Sequence, residues 1–176
     1  MNGVYFIRAE RKPDRASESN EKEQREMNVV ILGCGRVGST LARMMYKEGH
    51  TVTIIDLQSE AFRRLGTKYK GHRIVGNGID EDVLRRAGIS NADIFVAVTQ
   101  GDNRNIMAAQ IARHVFGVGK VIARIYDPIR ADRYRQLGIV TLCTTTIASG
   151  LIRDFANNGE WGLAKDYSQE YITLGA

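Results

Sequence analysis

The sequence predicts an α/β fold: a Rossmann-like, doubly wound sheet of six parallel strands in the order 3-2-1-4-5-6. Three observations carry that expectation. Six short, β-branched apolar runs recur between Met27 and Cys143, with helix-like stretches between them. The runs are apolar throughout rather than alternating, the pattern of strands covered on both faces. The first run breaks directly into a G-x-G-x-x-G loop that opens the first helical stretch. Strands alternating with helices make a parallel sheet, and right-handed crossovers then favour the doubly wound order.

Each element has its own signal. The runs are NVVIL (28–32), TVTII (51–55), HRIVG (72–76), ADIFVAV (92–98), KVIARIY (120–126) and GIVTLC (138–143). A first helix is expected from Val37 to Lys47, stopped by Gly49, and a second from Ser59 to Tyr69 with Ser59 as N-cap. Asp80 to Ala87 ends at Gly88, and Asn103 to Phe116 ends at Gly117. Pro128 to Leu137 begins with Asp127 as N-cap and proline at the first helical position, and Gly138 closes it. The last helix runs from Thr145 to Ala156. Along it Ile147, Leu151, Ile152 and Phe155 make an apolar stripe, suited either to its own sheet or to a partner subunit.

The 176-residue length suits one domain, and 43% hydrophobic residues suffice for a core. No stretch has the apolar length of a membrane span, and no secretory signal is read at the start. Two cysteines, Cys34 and Cys143, exclude a disulfide framework and fit no zinc spacing, so a reducing, cytosolic setting is expected. Residues 1–26 carry six basic and six acidic side chains without an apolar stripe, and are expected to be a charged, disordered extension. The net charge of +5 lies partly in Arg63, Arg64, Lys68, Lys70 and Arg73. No aromatic residues interleave there for base stacking, so these read as a solvated helix face and no nucleic-acid partner is expected.

The glycine loop points to a phosphate ligand. Gly33 permits the tight turn, Gly35 lets a pyrophosphate approach the backbone, and Gly38 lets helix and strand pack closely. Cys34 and Val37 complete the loop, where free N–H groups meet the positive end of the helix. Arg36 stands where its guanidinium can lie over phosphates and discriminate by phosphate count. Asp56 ends the second strand, 23 residues after Gly33, where a carboxylate accepts the hydroxyls of an adenosine ribose and repels a 2′-phosphate. This favours NAD(H) or ATP/ADP over NADP(H). Leu57 follows Asp56. Asn77 and Gly78 end the third strand, on the adenine side, where a polar turn is an equal alternative. Thr99 and Arg124 end the fourth and fifth strands and face the same crevice.

No catalytic or metal-ligating set emerges. His50, His72 and His114 all fall away from the carboxyl ends of strands, and no Y-x-x-x-K pair is present. The six-strand unit uses residues 28–156, leaving no substrate domain. Cys34 lies beside a helix N-terminus, which can lower a thiol's pKa, but reads as a small filler. A small NAD(H)-dependent oxidoreductase is the alternative to a non-enzymatic binding domain.

The stretches VVILGCGRVGSTLA, HTVTIID, VGNGIDEDVLRRAGISNADIFVAVTQGDNRN, VIARIYDP and LGIV, in that order, resemble the RCK or KTN (TrkA N-terminal) nucleotide-binding domain of Trk/Ktr-type potassium-uptake regulators. The resemblance covers residues 27–157. It implies a cytosolic regulatory subunit at the inner face of the membrane, binding NAD(H) or ATP/ADP. It further implies a homodimer or ring-like oligomer working with a membrane potassium channel or transporter. By motif, Gly33, Gly35, Arg36, Val37 and Gly38 would hold phosphates, Asp56 the ribose and Asn77 the adenine side, with Thr99 and Arg124 completing the crevice. Asn77 stands where the family usually has aspartate. The family's usual second lobe is not expected in residues 158–176, which read as an interface segment.

Overall fold

A computed structural model describes residues 25–162. The expectations for residues 1–24 and 163–176 lie outside the described residues. Six parallel strands form one sheet in the order β3-β2-β1-β4-β5-β6. They are β1 (Asn28–Leu32), β2 (Thr51–Asp56), β3 (His72–Val75), β4 (Ile94–Ala97), β5 (Lys120–Arg124) and β6 (Val140–Leu142). The helices are α1 (Arg36–Lys47), α2 (Glu81–Arg86), α3 (Asp102–Gln110), α4 (Pro128–Gln136) and α5 (Thr144–Asn158).

The continuous apolar runs have a direct cause in the pleat. Val29 and Ile31 of β1 pack into one core with Val52, Ile54, Leu65 and Tyr69. Val30 and Leu32 pack into the opposite core with Leu84, Phe95 and Ile106. Alternate side chains thus leave water on opposite faces, so every buried position of the central strand, Val29 to Leu32, must be apolar. Burying a side chain such as Phe95, fully enclosed, contributes about 1.5–3 kcal/mol. The edge strands escape this demand: β3 is mostly exposed, and Val140 of β6 is 59% exposed.

The helix starts and stops follow the sequence, with three differences. Asp80 caps α2 through the Asp82 N–H, and Asp127 caps α4 through Ile129 and Arg130. The helix expected over 59–69 is instead a 3₁₀ segment, Ser59–Leu65, whose N-cap position is Gln58 rather than Ser59. Gly66, at φ +71°, ends it and lets the chain bring Tyr69 under the sheet, where its hydroxyl donates to the Val52 carbonyl. The helix expected to reach Phe116 leaves α geometry at Gln110 and closes through a π turn, Ile111–Val115, with Phe116 N–H donating to Ile111 O. The apolar stripe of α5 is only partly covered, with Ile147 and Leu151 half-buried. Gly150 is its only buried residue, while Ile152 and Phe155 are exposed and Phe155 stacks on Trp161 at 4.5 Å.

Candidate functional site

At the carboxyl edge of the sheet, the loops after β1, β2, β4 and β5 enclose a cavity of about 1070 Å³. That volume is at the upper end for small-molecule sites. A smaller cavity of about 340 Å³ lies at the amino edge near His72, Arg73 and Arg86, away from the glycine loop.

The three glycines do different work. Gly33 sits at φ +105°, donates its N–H to Ile55 O at 2.8 Å, and packs so closely on β4 that a Cβ would lie 3.0 Å from the Thr99 nitrogen. A Cβ on Gly38 would overlap the Gly33 carbonyl oxygen, so this glycine sets the close packing of α1 on the loop. Gly35 has extended backbone and nothing within 4 Å of a would-be Cβ, leaving open space above the peptide. Gly35 is the N-cap of α1 without a side-chain cap, and the first turn carries no acidic residue. The N–H groups of that turn have no helical partner, and they open on the cavity with the helix dipole behind them.

Asp56 is fixed on both oxygens. Its Oδ2 accepts the Cys34 N–H at 2.6 Å and its Oδ1 accepts the Gln58 N–H at 2.9 Å. Each oxygen keeps a lone pair for a further donor. The Cys34 side chain points away into the core, fully buried, with its thiol donating to Ala61 O at 3.3 Å. Burial, reinforced by the Asp56 charge, raises the thiol pKa from 9.0 to about 11 against the opposing pull of Arg64 and Arg73. Desolvation therefore outweighs the nearby arginines, and Cys34 is an inert filler whose backbone, not its sulfur, serves the loop.

The far side of the cavity is organised by Asn105, fully buried in α3. Its Oδ1 accepts both the N–H and hydroxyl of Thr99, at 2.8 and 2.7 Å. Its Nδ2 donates to the Thr99 and Arg124 carbonyls at 3.0 and 2.9 Å. Arg124 Nη2 donates to Thr99 O at 2.7 Å, and the guanidinium lies 4.5 Å from the Tyr126 ring centroid.

Of the residues expected at the site, Gly33, Cys34, Gly35, Arg36, Val37, Asp56, Leu57, Gly78, Thr99 and Arg124 line this cavity. Gly38 lies behind it as packing. Asn77 is not on the lining; its side-chain oxygen accepts the Ile79 N–H at 3.4 Å, a polar turn. Arg63 and Arg64, read as part of a solvated face, are exposed but stand on the cavity rim with Arg104. Five arginines thus face the cavity against two carboxylates, Asp56 and Glu60. Asn105 was not expected from sequence, although it shares a helical face with the buried Ala108, Ala109 and Ala112. A polar side chain on such a face must find partners. None of the three histidines lines the cavity, and no cluster of three metal-ligating residues exists among the described residues.

Residues 29–145 match the TrkA-N domain model. The chain belongs to the TrkA-N domain family. It is 50% identical over 141 residues to the Trk system potassium uptake protein TrkA of Streptomyces coelicolor, covering 80% of this chain and 63% of that protein. A TrkA homolog from Methanothermobacter thermautotrophicus is 38% identical over 113 residues, covering 64% of this chain and 52% of the homolog. The chain therefore spans only part of the length of these relatives. The same fold occurs in the TrkA-N domain of the inner membrane protein YbaL of Escherichia coli, with TM-score 0.64 and 16% identity over 78% of this chain and 99% of that one. It occurs also in GsuK bound to ADP, with TM-score 0.65 and 20% identity over 76% of this chain and 35% of that one. At these identities the TrkA-N domain of YbaL and GsuK speak for the fold. No helix among the described residues is long and apolar enough to cross a membrane.

Proposed function

We propose that this TrkA-N chain is a nucleotide-sensing regulatory module, not an enzyme, that binds NAD(H) or ATP/ADP in the carboxyl-edge cavity. The observation that carries the reading is the pairing of an uncapped α1 N-terminus, opened by Gly35, with the doubly anchored Asp56 one strand away. The first supplies N–H groups for a diphosphate and the second a carboxylate for a ribose. Gly33, Gly35, Arg36 and Val37 would hold the phosphates, Asp56 the ribose, Leu57 and Gly78 the base side, and Thr99 and Arg124 the far end. The positive rim of Arg63, Arg64 and Arg104 raises the local concentration of an anionic ligand.

The names of the Streptomyces and Methanothermobacter relatives, and the ligands in GsuK bound to ADP and to NAD, favour a role beside a membrane potassium channel or transporter at the cytoplasmic face. The exposed Ile152 and Phe155 of α5 suit a homodimer or higher ring. A ligand shifts such an assembly only by binding its two arrangements unequally, with a coupling of about 1–3 kcal/mol per site. An oxidoreductase would need a proton relay at the β4–β5 end. That wall presents Thr99, Gln100, Arg104, Arg124, Tyr126 and Thr144, with no histidine or lysine.

A thermal-shift series with ATP, ADP, AMP, NAD+, NADH and NADPH tests the reading, because binding to the native state raises the midpoint. The expected result is a rise with the adenine nucleotides and a weaker one with NADPH. Turnover of NADH with carbonyl substrates, or no rise with any nucleotide, would overturn it.

A further inference from the structure

The amino half of one sheet face is left partly uncovered, and the cavity there has a chemistry of its own. On one face α1 has 12 residues and rises about 18 Å, close to the roughly 20 Å that a strand of six residues such as β2 spans. On the other face α2 has only 6, a rise of about 9 Å. It starts from the carboxyl edge, packs Val83 and Leu84 into the core, and stops at Ala87. Gly88, at φ +79°, then leads into a 3₁₀ turn, Ile89–Asn91. The cavity of about 340 Å³ opens beside that turn, at the opposite end of β1 and β2 from the glycine loop.

Two lateral rows of side chains face it. Val30, Thr53 and His72 are register partners across β1, β2 and β3, and Asn28 and Thr51 form the next row. The pleat sends all five to the same face. Thr51 is committed, its hydroxyl donating to Glu26 Oε1 at 2.6 Å. Thr53 is not. It is 8% exposed, and its hydroxyl has no hydrogen-bond partner among the described residues. A hydroxyl so deeply buried costs free energy unless something in the cavity accepts its proton.

Charge decides the sign of what fits. The lining holds Arg73, Arg86 and His72 and no carboxylate. Arg73 is turned away: it is the register partner of Ile54, on the opposite face, and its guanidinium donates to Tyr69 O at 2.6 Å. Arg86 is available. Its neighbour Arg85 pairs with Glu81 and Asp82, whereas Arg86 enters no ion pair and no side-chain hydrogen bond among the described residues. Asn28 and Asn91 add two side-chain amides that are likewise unpartnered there. A guanidinium fork, a hydroxyl and two amides over an apolar floor make a donor set for an oxyanion. The volume is at the lower end for small-molecule sites, too small for a nucleotide.

We propose that this amino-edge cavity is a second ligand site, for a small oxyanion bearing a carboxylate or phosphate group. Arg86 binds the charge, and the Thr53 hydroxyl and the Asn28 and Asn91 amides donate to its oxygens. Arg86 is exposed, so water screens part of its pull, and the buried hydroxyl supplies the selectivity over a simple halide.

The test is titration of isotope-labelled protein with inorganic phosphate and, separately, with succinate, each against sodium chloride at matched ionic strength, followed by amide NMR shifts. One of the two oxyanions should saturate with shifts at Thr53, Arg86 and Asn91, separable from any at Gly35, and chloride should move them little. Whichever saturates at lower concentration identifies phosphate or carboxylate as the preferred group. Arg86→Gln and Thr53→Val should each weaken that binding about tenfold or more. Arg85→Gln removes the same charge from the same helix outside the cavity, and should change it less than about twofold. Should Thr53→Val fail to fold, Arg86→Gln against Arg85→Gln still decides. No saturable shift at these residues with either oxyanion means that the cavity holds water only, and overturns the proposal. So does an equal response to chloride, an equal loss in Arg85→Gln, or shifts confined to Gly33 and Gly35, which put the anion in the carboxyl-edge cavity instead.

Discussion

Replacing Gly38 with alanine separates the packing role of the loop from its binding role. In α1 the change gains about 1 kcal/mol of helix propensity. Against this, the new methyl overlaps the Gly33 carbonyl oxygen and lies 3.2 Å from Val98 Cγ2. The principal obstacle is backbone, so no rotamer change relieves it, and the cost falls at the upper end of overpacking, about 3 kcal/mol. The net loss is then about 2 kcal/mol, or about 1 M in urea midpoint at a slope of about 2 kcal/mol/M. Gly35→Ala is the control. Its backbone is extended at φ −74° and nothing lies within 4 Å, so ligand-free stability should fall by less than about 1 kcal/mol, through the poorer N-cap alone. Its methyl enters the space left for phosphate, and ADP affinity should drop more than about tenfold, or 1.4 kcal/mol. Urea unfolding and calorimetric titration on both variants decide the matter. A Gly38→Ala midpoint matching wild type, or a Gly35→Ala variant less stable than Gly38→Ala, would refute the division of labour.

Asp56→Asn should reduce ADP affinity about tenfold or more and lower stability by about 1 kcal/mol, since a charge-assisted bond to the Cys34 N–H is lost; calorimetry and urea unfolding read the two effects. Asn105→Ala leaves the Thr99 N–H and the Arg124 carbonyl without their partner, and should cost about 3 kcal/mol or more in urea unfolding. Stability should fall as pH rises from 9 towards 11. Over that window the Cys34 thiol ionises in the unfolded chain but stays protonated in the fold, where its pKa is about 11. Burial likewise raises Tyr69 from 10.0 to about 12, against the pull of Arg73, and extends the decline. Cys34→Ala should show a shallower alkaline loss of urea midpoint than wild type, and an identical loss would count against the buried thiol.

The sheet was legible because a central strand such as β1 feeds two cores at once and must spell an unbroken apolar run. The glycine loop was legible because its glycines answer backbone constraints that only glycine meets. Segments governed by tertiary placement were harder to read. Ser59–Leu65 has the composition of an amphipathic helix, but Gly66 and the need to bury Tyr69 hold it to a 3₁₀ segment. Arg63 and Arg64 read as a solvated face because sequence does not show that this segment borders the cavity. Asn77 reads equally as a base contact or a polar turn, since the same amide chemistry serves both; its side chain accepts the Ile79 N–H and lies off the cavity lining. Asn105 carried a usable signal, a lone amide on an alanine-lined helix face, that only its Thr99 and Arg124 partners make meaningful.

The central claim is that the β1–α1 loop and Asp56 together grip the diphosphate and ribose of an adenine nucleotide. Isothermal titration of ADP into the purified, nucleotide-stripped chain tests it most directly, with Asp56→Ala run alongside. The account predicts saturable binding at one site per chain in wild type and its loss in the variant. Absence of heat with wild type, or equal affinity in Asp56→Ala, would contradict it.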